Sequence, residues 1–210
     1  RAEGDGLSPV DAPADAAAAL AERLRTEMAD TRRLLDRHTP LAPHVSLPSA
    51  SDWSAARQHL SALSSVSGSH KYIRIHGDYH LGQLLRSEGD VYILDFEGEP
   101  TRSLNERRRR KSALRDVAGM MRSLEYAVLA AWEDHTDTAP DYADWINALL
   151  YWAETTFLKA YVDTTNDAPF VPPPPACTSF LWAFLLDKAL YEIRYELNPR
   201  PSWVWLPLHG

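Results

Sequence analysis

Apolar residues recur every three or four positions along most of this chain, which predicts a largely helical protein. The clearest case is the alanine-rich segment 14–37, where one mostly apolar face is predicted to be buried and carries Leu20, Leu24, Met28, Thr31 and Leu35 at helical spacing. Residues 38–50 contain three prolines and are predicted to be an irregular loop. A second helix is predicted to begin at Ser51 or Asp52 and to end before Ser67.

Three more helices are predicted in the second half of the chain. The third runs from Ser112 or Ala113 to about residue 132, the fourth covers 142–164 and the fifth covers about 179–197. Residues 1–13, 101–110 and 169–175 are predicted to be a linker and two loops, and the proline-containing tail after residue 197 an extended strap. Most of the seven tryptophans are expected to lie in the core.

Strand character is confined to residues 72–99. Two apolar runs, 72–75 and 91–94, each end in a cluster of polar side chains. The turn signal Glu88-Gly89-Asp90 lies between them, so the two runs are predicted to pair as a hairpin. The expected fold is therefore α+β and predominantly α-helical, with one short β-hairpin that presents a polar edge.

Composition narrows the possible functions. The chain is 45% hydrophobic and 24% charged, as in an ordinary globular protein, and its net charge of -7 argues against nucleic-acid binding. The single cysteine, Cys177, excludes an intrachain disulfide and fits a reducing compartment. No run of 18 apolar residues and no signal-peptide core is seen, so we expect no membrane contact and a cytoplasmic location.

The concentrated chemistry lies at the ends of the two apolar runs. Asp78 follows the first run and Asp95 follows the second, so the two carboxylates can face one cavity. One of them can take a proton while the other holds a divalent cation. Gln83 adds a neutral oxygen, and a carboxylate with an amide suits a Mg²⁺ ion that keeps water and phosphate in most of its shell.

These residues also carry a family resemblance. HGDYHLGQ at 76–83, followed by LDFEGE at 94–99, resembles the catalytic loop and metal-binding segment of aminoglycoside phosphotransferase-like kinases, whose general pattern is HGDxHxxN. The longer match, which includes ERRRRKSALRDVAGMMRSLEYA and the segment 185–208, resembles maltokinase, including the form fused to trehalose synthase. The resemblance implies the C-terminal lobe of such a kinase.

The resemblance also implies roles for individual residues. Asp78 matches the catalytic base, and Gln83 and Asp95 match the Mg²⁺ ligands, with Gln in place of the Asn of the broader pattern. The role of Glu97 is left open between a metal-linked and a structural one. Asp116 is expected to satisfy the N-terminal amides of its helix, and this role is favoured over contact with the substrate. His76 and His80 are expected to brace the loop, and Arg115 also matches the family. The residues implied to hold the disaccharide are Lys188, Tyr191, Tyr195 and Trp203.

A kinase of this type also needs a nucleotide lobe, with a phosphate-cradling loop and a lysine on a strand. The chain shows no such pattern before His76, so ATP is expected to bind through a lobe that this chain lacks. The full-length enzyme would transfer the ATP γ-phosphate to the anomeric hydroxyl of maltose, and the isolated chain would be inactive or nearly so. A trehalose synthase domain or subunit is a possible partner.

Two alternatives remain open from the sequence. One is a kinase for another sugar such as glucosamine, which should place an extra carboxylate beside the acceptor, whereas Lys188 would oppose a cationic substrate. The other is a non-catalytic sugar-binding or regulatory module, against which the intact set of Asp78, Gln83 and Asp95 speaks. A metal-dependent hydrolase is disfavoured because no HxH or HExxH spacing is present.

Overall fold

A computed structural model describes residues 8–38, 41, 45–66, 70–98, 103–133 and 142–209. Predicted features at residues 1–7, Glu99 and Pro100 lie outside the described residues. The strands are β1 (Val10–Asp11), β2 (Lys71–Tyr72), β3 (Leu84–Ser87) and β4 (Asp90–Ile93). The helices are α1 (Ala16–His38), α2 (Ala50–Ser64), α3 (Leu104–Arg107), α4 (Leu114–Glu133), α5 (Ala143–Thr164), α6 (Pro174–Glu196) and α7 (Trp205–His209).

The main core forms where α1, α2, α4 and α6 pack together. All five positions of the predicted apolar face of α1 are buried, so that prediction is confirmed. Opposite them lie buried side chains of α4 and α6, such as Leu114, Phe184 and Leu190. A smaller cluster around Leu129 and Leu150 joins α5 to the second half of α4. No described helix is both long and apolar enough to cross a membrane.

The hairpin exists, but its first strand was predicted wrongly. β4 pairs with β3, whereas residues 72–75 belong elsewhere: β2 pairs with β1, and Ile73 exchanges backbone hydrogen bonds with Lys111. The predicted turn is confirmed, because Glu88 and Gly89 both have positive φ, at 53° and 93°. A two-residue turn brings together only the residues that directly precede and follow it. Residues 84–87 therefore pair with β4, and the run 72–75 does not.

Part of the predicted linker is structured. Val10–Asp11 forms β1, and the Ala12 amide donates to the His70 carbonyl at 3.0 Å. The Lys71 ammonium also contacts the Asp11 carboxylate at 2.5 Å. These contacts join the residues before α1 to the segment that enters the candidate catalytic loop, a long-range pairing that local composition does not reveal.

Three proline-containing or polar segments are more helical than predicted. α6 begins at Pro174 and not near Ser179, and the tail contains a 3-10 turn at Pro201–Trp203 followed by α7, which includes Pro207. The predicted loop 101–110 contains the short helix α3. Proline is tolerated in the first turn of a helix because the N–H that it lacks would have no partner there.

The tryptophans divide into two groups. Trp53 is buried in the main core, as predicted. Trp145 and Trp152 on α5 are instead 72% and 67% exposed, so the core prediction is wrong for them. Their side chains lie on the face of α5 that points away from α4.

Candidate active site

The candidate catalytic loop follows the buried Ile75 and is anchored to the first turn of α4. The two carboxylate oxygens of Asp116 accept the backbone N–H groups of His76 at 2.7 Å and Gly77 at 2.9 Å. The expectation that Asp116 satisfies helix N-terminal amides is therefore wrong, because its acceptors serve the loop. Burial raises the pKa of Asp116, and these two N–H bonds and the nearby Arg115 oppose that rise.

His76 braces the loop from inside, as the sequence analysis expected. It is 5% exposed, its Nε2 lies 2.7 Å from the Leu94 carbonyl, and its Nδ1 lies 3.3 Å from the backbone nitrogen of Asp78. A carbonyl can only accept and a backbone amide can only donate. The imidazole that satisfies both partners is neutral with its proton on Nε2, so His76 is assigned a structural role and not that of an acid.

Two further residues of α4 fit against the loop, and sequence reasoning missed both. A Cβ added to Gly119 would lie 2.7 Å from the Tyr79 carbonyl oxygen, so only glycine allows this approach. The Ser123 hydroxyl accepts the Leu81 N–H at 3.0 Å. A glycine inside a helix was the available signal for Gly119, because glycine costs helix stability unless close packing requires it.

The two predicted metal ligands lie side by side. Gln83 Nε2 is 3.4 Å from Asp95 Oδ2, and the Leu94 amide donates to the Gln83 carbonyl at 2.9 Å. Asp95 has a φ of 58° and is exposed on the surface. Within the described ranges no group of three His, Cys, Asp or Glu side chains is arranged to hold a metal ion. The donor set is thus one carboxylate and one amide, which fits Mg²⁺ bound mainly by water and phosphate.

Two other predicted residues occupy the rim. His80 Nδ1 accepts the Gly82 N–H at 3.1 Å, and its Nε2 lies 3.9 Å from the Asp78 carboxylate. Its loop-bracing role is thus supported by a contact with its own turn. The Glu97 side chain is 82% exposed and its carboxylate lies 4.0 Å from the Arg107 guanidinium. The described contacts of Glu97 therefore involve α3, not Gln83 or Asp95.

A small cleft opens beside Asp78, between the catalytic loop and helices α1, α4 and α6. Its volume is about 90 Å³, and two of the residues predicted to hold the sugar, Lys188 and Tyr191, line it. The charged side chains around it are four basic and four acidic residues: Arg23, Arg115, Lys188, Arg194, Glu27, Asp78, Asp116 and Asp187. Two larger hollows of about 820 and 830 Å³ contain neither Asp78 nor the Gln83–Asp95 pair.

Ion pairs hold the walls of this cleft together. The guanidinium of Arg23 on α1 donates to both carboxylate oxygens of Asp187 on α6, at 2.8 and 2.9 Å. Arg115 approaches the same carboxylate at 3.3 Å, while Glu27 contacts Arg23 at 2.7 Å and Arg194 at 3.2 Å. A planar guanidinium that binds a carboxylate through two parallel bonds fixes both position and orientation. Sequence reasoning missed Arg23, Glu27, Asp187 and Arg194 because helical periodicity does not show which helix lies opposite.

The two other residues predicted to bind the sugar, Tyr195 and Trp203, differ in their position relative to the cleft. The Lys188 ammonium lies 5.4 Å from the ring centroid of Tyr191, and Tyr195 stacks on Tyr191 with centroids 6.4 Å apart. Tyr195 therefore continues the aromatic surface one turn beyond the cleft. Trp203 does not line the cleft: it packs with Leu129 and Leu206, and Arg200 covers its ring.

Comparisons with known proteins agree with a kinase-like fold. A scan against models of protein families finds no match. The chain is 35% identical over 135 residues to a glucosamine kinase of Mycolicibacterium smegmatis, covering 63% of this chain and 32% of the relative. It is 34% identical over 139 residues to a glucosamine kinase of Streptacidiphilus jiangxiensis, covering 64% and 30%.

Solved structures show the same relationship over more of the chain. A glucosamine kinase in complex with glucosamine, ADP and inorganic phosphate superposes with a TM-score of 0.70 and 25% identity over 95% of this chain and 47% of that one. Crystal form A of a glucosamine kinase gives 0.71 and 27%, with 95% and 46% covered. The chain spans about a third of the length of the curated relatives and about half of the solved chains.

The fold is that of a kinase-like lobe. The two curated relatives and both superposed structures are sugar kinases, which supports a relationship to that family. The relatives named here are glucosamine kinases, so they support the broader class and not maltokinase in particular.

Proposed function

We propose that this chain is the catalytic and acceptor-binding part of an ATP-dependent sugar kinase. The observation that carries the proposal is the position of Asp78. This carboxylate lines the small cleft, and the loop that bears it continues to Gln83, which lies beside Asp95. An acceptor hydroxyl and a metal-bound phosphate can therefore be brought to the two ends of one short loop.

The chemical work divides among these residues. Phosphoryl transfer depends mainly on positioning and on neutralisation of phosphate charge. Asp78 would accept the proton of the acceptor hydroxyl and orient its oxygen toward the phosphate. Gln83 and Asp95 would hold Mg²⁺, which neutralises charge on the phosphate oxygens when bound. Asp116 and His76 would keep Asp78 in place through the loop backbone.

We favour glucosamine as the acceptor mainly on similarity. An amino-sugar site was expected to place an extra carboxylate beside the acceptor, and Asp187 and Glu27 line the cleft, where each is paired with arginine side chains. Lys188, which was expected to oppose a cationic sugar, lines the cleft as well. The solved relative that contains glucosamine adds support by similarity.

Maltose remains a second candidate because of one specific feature. The Tyr191–Tyr195 stack extends the aromatic surface beyond the cleft, where a second sugar ring could lie. Calorimetric titration of the chain with glucosamine, glucose and maltose separates the two candidates. We expect glucosamine to bind most tightly. Tighter binding of maltose, with loss of that preference on Tyr195→Ala, would favour the disaccharide.

The nucleotide is proposed to be bound largely by residues outside this chain. The β3–β4 hairpin and the residues after it expose apolar side chains next to Asp95, with Leu85, Val91, Tyr92 and Phe96 between 52% and 60% exposed. Such a surface beside a phosphate site suits contact with a nucleotide-binding domain. We expect no turnover when the chain alone is mixed with ATP, Mg²⁺ and glucosamine. Robust turnover by the chain alone would refute this division of the site.

A further inference from the structure

Helix α5 carries an aromatic stripe that the proposed kinase chemistry does not use. The stripe consists of Tyr142, Trp145, Leu149 and Trp152, which are 55%, 72%, 52% and 67% exposed. At about 100° per residue, the last three lie within an arc of roughly 60° on the helix surface. The side of α5 that faces α4 is instead formed by Ile146 and Leu150. Exposed apolar patches of this size on a protein surface mark interaction sites.

The stripe lies away from the candidate active site. Residues Asp116, Gly119 and Ser123, in the first half of α4, contact the catalytic loop. The second half of α4 contacts α5 through Leu129. A nucleotide-binding domain has to reach Asp78 and Asp95, so it approaches the other end of α4 and is not needed to explain the stripe.

We infer that the α5 stripe is a homodimer interface in which α5 pairs with α5 of a second copy, in antiparallel orientation. The spacing of three and four residues from Tyr142 to Lys159 follows a heptad pattern, with 145, 152 and 159 in one core position and 142, 149 and 156 in the other. A two-fold axis midway between Leu149 and Trp152 pairs each residue of one core position with a residue of the other core position on the second copy. Trp152 then packs on Leu149 of the second copy, and Trp145 packs on Thr156.

The same register extends the contact to Lys159, one turn beyond the stripe. The Lys159 ammonium pairs with Asp163 of its own helix at 2.5 Å, and the register brings it against the ring of Tyr142 of the second copy. An ammonium over an aromatic face is attracted by the ring quadrupole. A two-fold interface must be complementary to itself, and the α5 stripe satisfies this condition without any residue from another element.

The exposed area indicates a weak interface. At about 150–250 Å² for each aromatic side chain, the exposed parts of the three aromatic residues of the α5 stripe amount to roughly 300–500 Å² per copy, to which Leu149 adds. A standard stable interface buries about 800 Å² per partner, so the flanks of α5 have to contribute and we expect a reversible dimer.

Sedimentation velocity of the 210-residue chain across micromolar concentrations tests the inference. We expect a monomer–dimer equilibrium that Trp152→Ser weakens roughly thirtyfold or more, as is typical of a central aromatic anchor. Val162→Ser is the matched control, since Val162 is 48% exposed on the same helix but lies outside the stripe. Circular dichroism confirms that both variants fold. A chain that is monomeric at all concentrations, or a dimer that Trp152→Ser leaves unchanged, overturns the inference.

Disulfide trapping tests the orientation. In a Cys177→Ser background, chains with Trp145→Cys are mixed with chains with Thr156→Cys and oxidised. The antiparallel register predicts cross-links between the two kinds of chain. Cross-links only between identical chains would indicate parallel pairing and would contradict the proposed interface. Neither readout depends on catalysis, so failure of the dimer would leave the proposed kinase function unaffected.

Discussion

Gly119 of α4 lies directly against the backbone carbonyl of Tyr79 in the candidate catalytic loop. A methyl group at position 119 would sit 2.7 Å from that oxygen. Helix α4 thus supports the loop by contact with its backbone, next to the two sites where Asp116 and Ser123 accept backbone N–H groups of the loop.

Gly119→Ala tests this contact. Alanine normally stabilises a helix interior by about 1 kcal/mol relative to glycine. Here we expect a net destabilisation of about 1–3 kcal/mol, because the loop or α4 has to move. Urea denaturation measures the effect. Ala127→Gly on the exposed side of α4 is the control and should lose only about 1 kcal/mol; a more stable Gly119→Ala variant would show that the contact is not tight.

Asp116 should make stability depend on pH in a defined direction. Burial raises its folded pKa above the ordinary value of 3.8, so the folded state binds a proton that the unfolded state has not yet bound. As pH falls through that raised folded value toward 3.8, wild-type stability should therefore rise relative to Asp116→Asn. Urea denaturation of both proteins at several pH values gives the difference. A difference that is constant from pH 7 to pH 4 would exclude the raised pKa.

The same substitution should disturb the loop at neutral pH. An amide in place of the carboxylate offers one acceptor oxygen, which leaves either the His76 or the Gly77 N–H without its partner. We expect a loss of about 1–3 kcal/mol and faster amide exchange at these two positions. If hydrogen exchange there is unchanged while the protein remains folded, Asp116 does not hold the loop.

Asp95→Asn should separate cation binding from acceptor binding. Removing the one carboxylate of the Gln83–Asp95 pair is expected to weaken Mn²⁺ binding, used as a probe for Mg²⁺, by about tenfold or more. Glucosamine affinity should be unchanged, because Asp95 does not line the cleft. Glu97→Gln serves as the control, since Glu97 contacts α3. An equal loss in both variants would indicate a general charge effect and not a ligand.

Asp187→Asn tests the charge of the acceptor. If Asp187 favours a cationic sugar, the substitution should weaken glucosamine binding about tenfold and leave glucose binding nearly unchanged. The variant also loses part of its ion pairs with Arg23 and Arg115, so thermal unfolding has to be measured beside the titrations. An equal loss of affinity for both sugars would indicate that Asp187 only stabilises the cleft wall and does not recognise the amino group.

Much of the helical framework could be predicted from spacing, and the candidate chemistry from two short segments. α1, α4 and α5 begin and end within about two residues of the predicted positions, because apolar periodicity is a local property. The partner of β4, the strand β1 and the helical turns at Pro174 and Pro207 were missed. The strand pairings depend on which segment lies alongside, and the proline-containing turns depend on where the proline falls within a helix. Local composition specifies neither.

The sequence by itself determined which residue types are available: Asp78, Gln83 and Asp95 at fixed distances along the chain, and an apolar face on α1. Tertiary structure decided what each of them meets. Asp116 contacts the loop backbone, and Arg23 lies opposite Asp187. Trp203 lies away from the cleft, whereas Trp145 and Trp152 are exposed. The physical reason is that hydrogen bonds, ion pairs and burial depend on distances across the packed helices, whereas periodicity along one helix records only which side is apolar.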